Sequence, residues 1–440
     1  MRNHHEHSGR PFHQVVDRRR FMSLLGSAGA LGVVGCGARS KSESRPADSG
    51  QAGLELPTSA EQSLVQADQA ERPARSLSVN GERLLVVIEL QGGNDGLAML
   101  TPLDQGRLLS SRPDLVAEPG ELVDAGSGFG WNPNLATLAA SGISAAVGVG
   151  SNDPGFSHFE MEQRWWRGES GEQSRLGTGF FGRLCDQLDK GAPVTGLALA
   201  GGATPALSSD KAVTVGLSDP GSSWFFREEN PWLDAHRATL TAMSDAAATD
   251  DDRFAAARQG LDNTMRFAAS LGEFDPDGDD RYPWTDLGQQ LRLASQVIQV
   301  EAGVRVLHVQ LGGFDTHTGQ RWRHDDLMSE LGEAVTVFVE DLTEQGRRDD
   351  TLIVTTSEFG RRVEQNDGGT DHGGASTMMV CAPGATGVHG HAPNLGQLDD
   401  GNIVATARFE DYYATIAEDW FGVSADLVLP SGSTPISGLI

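Results

Sequence analysis

Three short apolar runs, each stopping at a polar ending rich in glycine, acid or imidazole, constrain this chain more than anything else in it. Residues 84–90 read Leu-Leu-Val-Val-Ile-Glu-Leu and run into Gln-Gly-Gly-Asn-Asp-Gly at 91–96. Residues 304–311 read Val-Arg-Val-Leu-His-Val-Gln-Leu and run into Gly-Gly-Phe-Asp-Thr-His at 312–317. Residues 352–356 stop at Ser357 and Glu358, with Gly-Thr-Asp-His-Gly at 369–373 close behind. Such β-branched runs read as buried strands. In an open parallel sheet, ligands sit beyond the carboxyl ends of the strands. One such ending is common, whereas three predict a shared site.

The segments between them fix the sheet type. Residues 287–302 place Leu291, Ala294, Ile298 and Ala302 on one helical side and feed the run at 304–311. Residues 327–345 do the same with Leu331, Val335, Phe338 and Leu342, and feed 352–356. Helix then strand, twice, predicts crossovers and a mostly parallel central sheet with helices on both faces, an α/β fold. Further strands are expected at 143–149, 194–200 and 377–382. Helices are expected at 134–140, from 160 onward and at 411–421. Residues 201–280 show little periodicity before 253–271 and read as an inserted cap. The acidic run at 275–280 reads as a turn, because it lacks the downstream Glu of a calcium loop. The folded domain is expected over 81–425, with 426–440 as a tail.

The N-terminus carries an address. Arg18, Arg19 and Arg20 precede Phe21, followed by a Gly/Ala-rich apolar run to Gly35. This resembles a twin-arginine export signal over residues 1–36. The run is too short to span a bilayer, which takes ~20 residues. Val33-Val-Gly-Cys36 also fits a lipobox, which would make Cys36 a lipid anchor; plain cleavage nearby is the alternative. Residues 37–80, rich in Ser, Glu, Ala, Gln and Pro, read as a flexible linker. The expected location is periplasmic or cell-surface, with the translocation machinery and the membrane as partners. A net charge of −27, with lysine only at Lys41, Lys190 and Lys211, argues against nucleic acid. Cys185 and Cys381 could pair or stay as buried thiols.

The strand endings gather Asp95, Asp315, His317, Glu358, Asp371 and His372. Carboxylates with imidazoles suit zinc, with manganese or calcium as alternatives. Two such ions could clamp an in-line displacement at phosphorus or sulfur. Ser157, after a strand and a Pro-Gly turn, begins a helix. It is a candidate nucleophile or merely a helix cap. Arg361 could balance charge on an ester oxyanion.

Gly-Gly-Asn-Asp-Gly, Ser-His-Phe, Gly-Gly-Phe-Asp-Thr-His, Ser-Glu-Phe-Gly-Arg and Gly-Thr-Asp-His-Gly, in this order, resemble a bacterial family, domain of unknown function 1501. The family is commonly exported by the twin-arginine route and resembles a branch of the alkaline phosphatase and sulfatase superfamily. The resemblance implies an alkaline-phosphatase-like fold. It also implies metal binding by Asp95, Asp315, His317 and His372, with Ser157 as nucleophile. Where the superfamily has Asp-His at a late strand end, this chain has Glu358-Phe359, so a second metal would lose a ligand. Either Asp371 or Asn94 replaces it, or the second ion is absent. The sulfatase signature is missing at Cys381, which has the proline two residues on but no arginine four on. The expected function is an exported metal-dependent hydrolase of phosphate or sulfate esters on a small molecule or glycan. The alternative is a non-catalytic envelope or surface binding protein on the same fold.

Overall fold

The computed structural model describes residues 32–33, 82–104, 106–171, 176–200, 202–217, isolated helical residues within 235–267, and 279–440. The arginine run, Cys36, the expected linker and most of the expected cap lie outside the described residues.

The frame is a ten-stranded sheet. At its middle, β2 (Leu84–Gln91) lies between β9 (Val306–Gly312) and β10 (Thr351–Thr356), parallel to both. Beyond β9, the parallel array continues through β7 (Gly196–Ala198) and β8 (Thr214–Gly216). The short β1 (Gly32–Val33) pairs antiparallel with β8. On the other side, β13 (Ala375–Cys381) runs antiparallel to β10 and to β6 (Ser144–Gly150). Two short strands, β14 (Gly387–His389) and β15 (Ala407–Arg408), pair in parallel with β6. The sheet is therefore mostly parallel, as the helix–strand alternation predicts. The reversal at β13 follows from its connection. The chain after β10 forms a small pair, β11 (Gly360–Arg361) with β12 (His372–Gly373), and no helix returns it across the sheet.

The central strand is buried on both faces, which is why its sequence runs apolar without alternation. Leu84, Val86, Ile88 and Leu90 face one core, and Leu85 and Val87 face the other. The first core is closed by α3 (Ala136–Ala140), α6 (Asp286–Gln299) and α7 (Gln320–Glu344), whose Leu291, Ile298, Leu331 and Phe338 are buried there. The second is closed by α4 (His158–Arg167), α5 (Phe180–Leu188) and α8 (Phe409–Thr415), through Trp165, Phe181 and Tyr413. Each fully buried aliphatic or Phe side chain contributes roughly 1.5–3 kcal/mol. Cys185 and Cys381 are free buried thiols on opposite faces of the sheet.

Four expectations are corrected. The helix expected at 327–345 begins at Gln320, because its first two turns are polar and show no stripe. Residues 97–133, expected as a loop before the helix at 134–140, hold a three-stranded antiparallel sheet, β3 (Leu100–Pro102), β4 (Val123–Gly126) and β5 (Phe129–Trp131). Strands of three or four residues are too short to show a period. Residues 202–217, assigned to the cap, supply β8 of the main sheet. Residues 426–440 are no loose tail. Val428, Leu429, Ile436 and Leu439 are buried in the second core, and the Leu439 carbonyl accepts from Ser144 Oγ at 3.2 Å.

One buried ion pair fixes the loop after β2. Asp95 caps α1 (Gly96–Met99), accepting from the amides of Leu97 and Ala98 at 3.1 and 3.2 Å. Arg112, which follows α2 (Gly106–Ser111), bonds both its oxygens at 2.8 and 2.6 Å and is fully buried. Burial alone would raise the Asp95 carboxyl, but Arg112 and His324 outweigh it and hold the group below the ordinary carboxylate range. Removing one partner of a buried pair strands the other charge. Arg112→Leu should therefore destabilise the fold by about 3–5 kcal/mol, and Arg112→Leu with Asp95→Leu by much less. Denaturant titration of both variants, with Asp95→Leu beside them, checks this. A double-variant loss equal to the sum of the losses in Arg112→Leu and Asp95→Leu would show that the pair is not coupled.

Candidate functional site

The carboxyl ends of β2, β9 and β10 lie side by side, so their loops meet. Two glycines allow the approach. At Gly92 φ is +111°, and a Cβ there would stand 2.3 Å from the Asp315 amide nitrogen. At Gly369 a Cβ would stand 2.3 Å from the His317 carbonyl. Any larger residue would push the loops apart. Arg361 ties the same loops together from below. Its Nε donates to the Gly93 carbonyl at 2.9 Å, Nη1 to Thr370 at 3.0 Å, and Nη2 to Gly92, to Phe314 at 2.8 Å and to Asp315 Oδ1 at 3.1 Å.

Above this clamp, imidazoles converge on one carboxylate. His372 Nε2 and His317 Nε2 lie 3.1 and 3.0 Å from Asp315 Oδ1, and 3.2 Å from each other. His158 Nε2 lies 3.5 Å from Asp315 Oδ2. One ligand atom each from His158, Asp315 and His372 fits within 4.8 Å, the spacing of a metal-binding group. The other ring nitrogens set the tautomers. His372 Nδ1 is 2.8 Å from the Phe156 carbonyl, which can only accept. His158 Nδ1 is 3.0 Å from Glu358 Oε1, and the Gly92 amide donates to the same oxygen at 2.7 Å. In the neutral rings both Nε2 atoms therefore point lone pairs at an acceptor oxygen. Lone pairs facing lone pairs are held only by a positive charge among them, a proton or a metal ion. Imidazoles oriented from behind by a carbonyl and a carboxylate are the usual support of a metal ligand. The donor set thus fits a divalent cation.

Burial would raise the Asp315 carboxyl, yet its bonds from His372 and Arg361 hold it near about 2. The Glu358 hydrogen bond lifts the His158 imidazole above its ordinary range, against the effect of burial. One turn further along α4, burial with the nearby Glu358 and Glu89 pushes the Glu162 carboxyl up to about 7.

The sequence-predicted residues divide. Asp315, His317 and His372 are brought together. Glu358 reaches the group through His158, and Asp371 touches it only through His317 Nδ1, at 3.6 Å. Asp95 is not brought to it, being held by Arg112, by Gln320 and by the start of α1. Asn94 is also elsewhere, with its Oδ1 3.1 Å from His324 Nε2. Arg361 is buried with all three nitrogens engaged, which is a positioning role and leaves no free face for an ester oxyanion. Ser157 is exposed at the start of α4, beside His158, and its hydroxyl makes no cap bond. Phe359, standing where a histidine was looked for, is buried and stacks on His372 with centroids 4.2 Å apart. Sequence reasoning missed His158 as a member. Its one local signal is its place in Ser-His-Phe, next to the candidate nucleophile.

Among solved structures, the chain is similar to a sulfatase, PsFucS1, from Pseudoalteromonas sp., at 13% identity and a TM-score of 0.37, covering 81% of this chain and 74% of that one. It is similar to a phosphonate monoester hydrolase, SpPMH, from Silicibacter pomeroyi, at 12% identity and a TM-score of 0.37, covering 81% and 76%. A mutant of the alkaline phosphatase PafA overlaps at 11% identity and a TM-score of 0.30, covering 65% and 64%. Overlaps this partial say nothing of chemistry in this chain. No curated protein matches it. Residues 148–418, which include every member of the imidazole–carboxylate group, match the family described as protein of unknown function (DUF1501), and the chain belongs to that family.

Proposed function

We propose that the protein is an exported, metal-dependent hydrolase of phosphate or sulfate esters. The observation that carries the reading is the convergence of the His158, His317 and His372 imidazoles on Asp315. Asp315, His372 and His158 would hold one divalent cation, with His317 beside them, and zinc suits this donor set. When bound, the cation supplies a Lewis acid for the ester oxygens. The chain's own groups supply the rest. Ser157 presents an uncapped hydroxyl one residue from His158, as a nucleophile for the ester would require. Glu358 keeps His158 oriented, and the Phe156 carbonyl does the same for His372. Arg361 keeps the loops at the spacing that the group needs.

The two-metal clamp considered from the sequence finds little support. Asp95 is spent on Arg112, and Phe359 packs where a further ligand would stand. Phe359 also favours the second reading, a binding protein that keeps one metal on this fold. Two variants separate the readings. Asp315→Ala and His372→Ala should each lower bound metal, measured by elemental analysis. Unchanged stoichiometry in both would remove the ligand assignment. Ser157→Ala should keep the metal and lose at least about 100-fold in turnover of aryl phosphate or aryl sulfate esters. Metal without turnover in the parent chain would leave the binding reading.

Export rests on the N-terminal arginines and Cys36. Among the described residues no helix is long and apolar enough to cross a membrane. The lipobox-like Val33-Val-Gly-Cys36 supports attachment through a lipid on Cys36, with the translocation machinery as the transport partner. Cys36→Ala should move the protein from the membrane to the soluble fraction; a variant still sedimenting with membranes would sink the anchor.

A further inference from the structure

A second concavity shares a wall with the imidazole–carboxylate group. It is a cavity of about 740 Å³ at the carboxyl ends of β2, β7 and β9, against the N-termini of α6 and α7. The shared wall is the turn pair already described. Gln91 and Gly312 line the cavity, while Gly92 and Asp315, their near neighbours, line the metal group. The Phe314 amide bonds the Gln91 carbonyl at 3.0 Å, so the wall is one piece. Arg323 also lines the cavity, with its guanidinium packed against Gly313, where a Cβ would meet Nη2 at 2.6 Å.

The chemistry of the wall is unusual. Pockets of ~300–1,000 Å³ are mostly apolar with a few polar groups. Here the amides of Gln91 and Gln289, the latter also donating to the Pro283 carbonyl at 3.1 Å, the carboxylates of Asp286 and Glu330 and the guanidinium of Arg323 share one concavity with four aliphatic side chains. Behind them the surface is stiff, because Gln290 Nε2 bonds the Gln310 carbonyl at 3.0 Å and the Gln310 amide bonds Gln290 Oε1 at 2.8 Å. Gln310 Nε2 reaches on to Glu89 at 2.8 Å. Amides donate and accept, carboxylates accept, and a guanidinium donates. A ligand that uses all three must carry several groups that both donate and accept at close spacing, which is the character of neighbouring hydroxyls. Two carboxylates against one cation also disfavour a ligand recognised by negative charge alone. Trp284 and Trp322, each one residue before a lining residue, are 86% and 63% exposed. Neither indole lines the cavity, and the Trp322 ring stands over Gly319; each is an exposed flat apolar face close in sequence to the lining.

We propose that this cavity is a saccharide subsite, holding the non-reacting sugar of a glycan whose ester is presented to the imidazole–carboxylate group. It builds on the hydrolase reading by naming the substrate class, but it can stand or fall separately. The test is binding of the full chain to an array of neutral, sulfated and phosphorylated oligosaccharides, with Arg323→Ala, Gln289→Ala and His372→Ala beside the parent. The expected result is binding to at least one array member, weakened about tenfold in Arg323→Ala and Gln289→Ala, and kept in His372→Ala. Asp286→Asn, on the exposed first turn of α6, replaces Arg323→Ala if that variant fails to fold. No saccharide bound, or equal binding by the cavity variants, overturns the proposal. Absent turnover with binding retained would sink the hydrolase reading and leave the subsite. Turnover with no sugar bound would do the reverse.

Discussion

The site depends on a buried guanidinium. Taking a cation out of water costs several kcal/mol unless its donors are used, and Arg361 uses them on the carbonyls of four loop residues and on Asp315. Those carbonyls come from the loops after β2 and β9 and from the turn before β12. The arginine is therefore a common centre around which the loops are gathered. It also fixes Asp315 Oδ1, the oxygen on which two imidazoles meet. Through β11 it lies opposite His372 in register, so one residue sets the position of both partners. Two glycines of these motifs, Gly92 and Gly369, follow from this arrangement. Loops drawn onto one guanidinium come too close for side chains at Gly92 and Gly369.

The strands were legible because burial on both faces leaves a continuous apolar run, and their parallel direction was legible because helices intervene. The short strands around residue 100 were not, since three residues show no period and their pairing is decided by the chain 20 to 30 residues away. The direction of β13 was equally hidden, as it depends on a connection with no helical signature.

Within the site, sequence could find strand endings but could not weigh them. Asp95 and Asp315 each follow a strand and a Gly-Gly pair, and by local pattern they are equivalent. What separates them is distant. Arg112 and Gln320 close on Asp95 and consume it, whereas Asp315 is left with side-chain exposure of 49% and three imidazoles. The same holds for Arg361, which reads as a loop arginine and proves to be the interior clamp. His158 was hidden differently. It arrives from β6, beyond the reversed β13, so nothing in the spacing of the other motifs predicts that it reaches Asp315.

These assignments bear on how charge would be handled at an ester. With Arg361 turned inward and Asp95 paired, the imidazoles around Asp315 and the exposed guanidinium of Arg323 face solvent at the strand ends. His158 has a double tie, to Glu358 on one side and toward Asp315 on the other. Glu358 in turn is held by the Gly92 amide, inside the turn that Arg361 organises. Second-layer contacts of this kind commonly decide ligand affinity as much as the ligands themselves. A substitution at Glu358 should thus act on the site through His158, not as the loss of a ligand. The glutamate at this strand end then has a role that needs no ion: from the end of β10 its carboxylate reaches the imidazole at the start of α4.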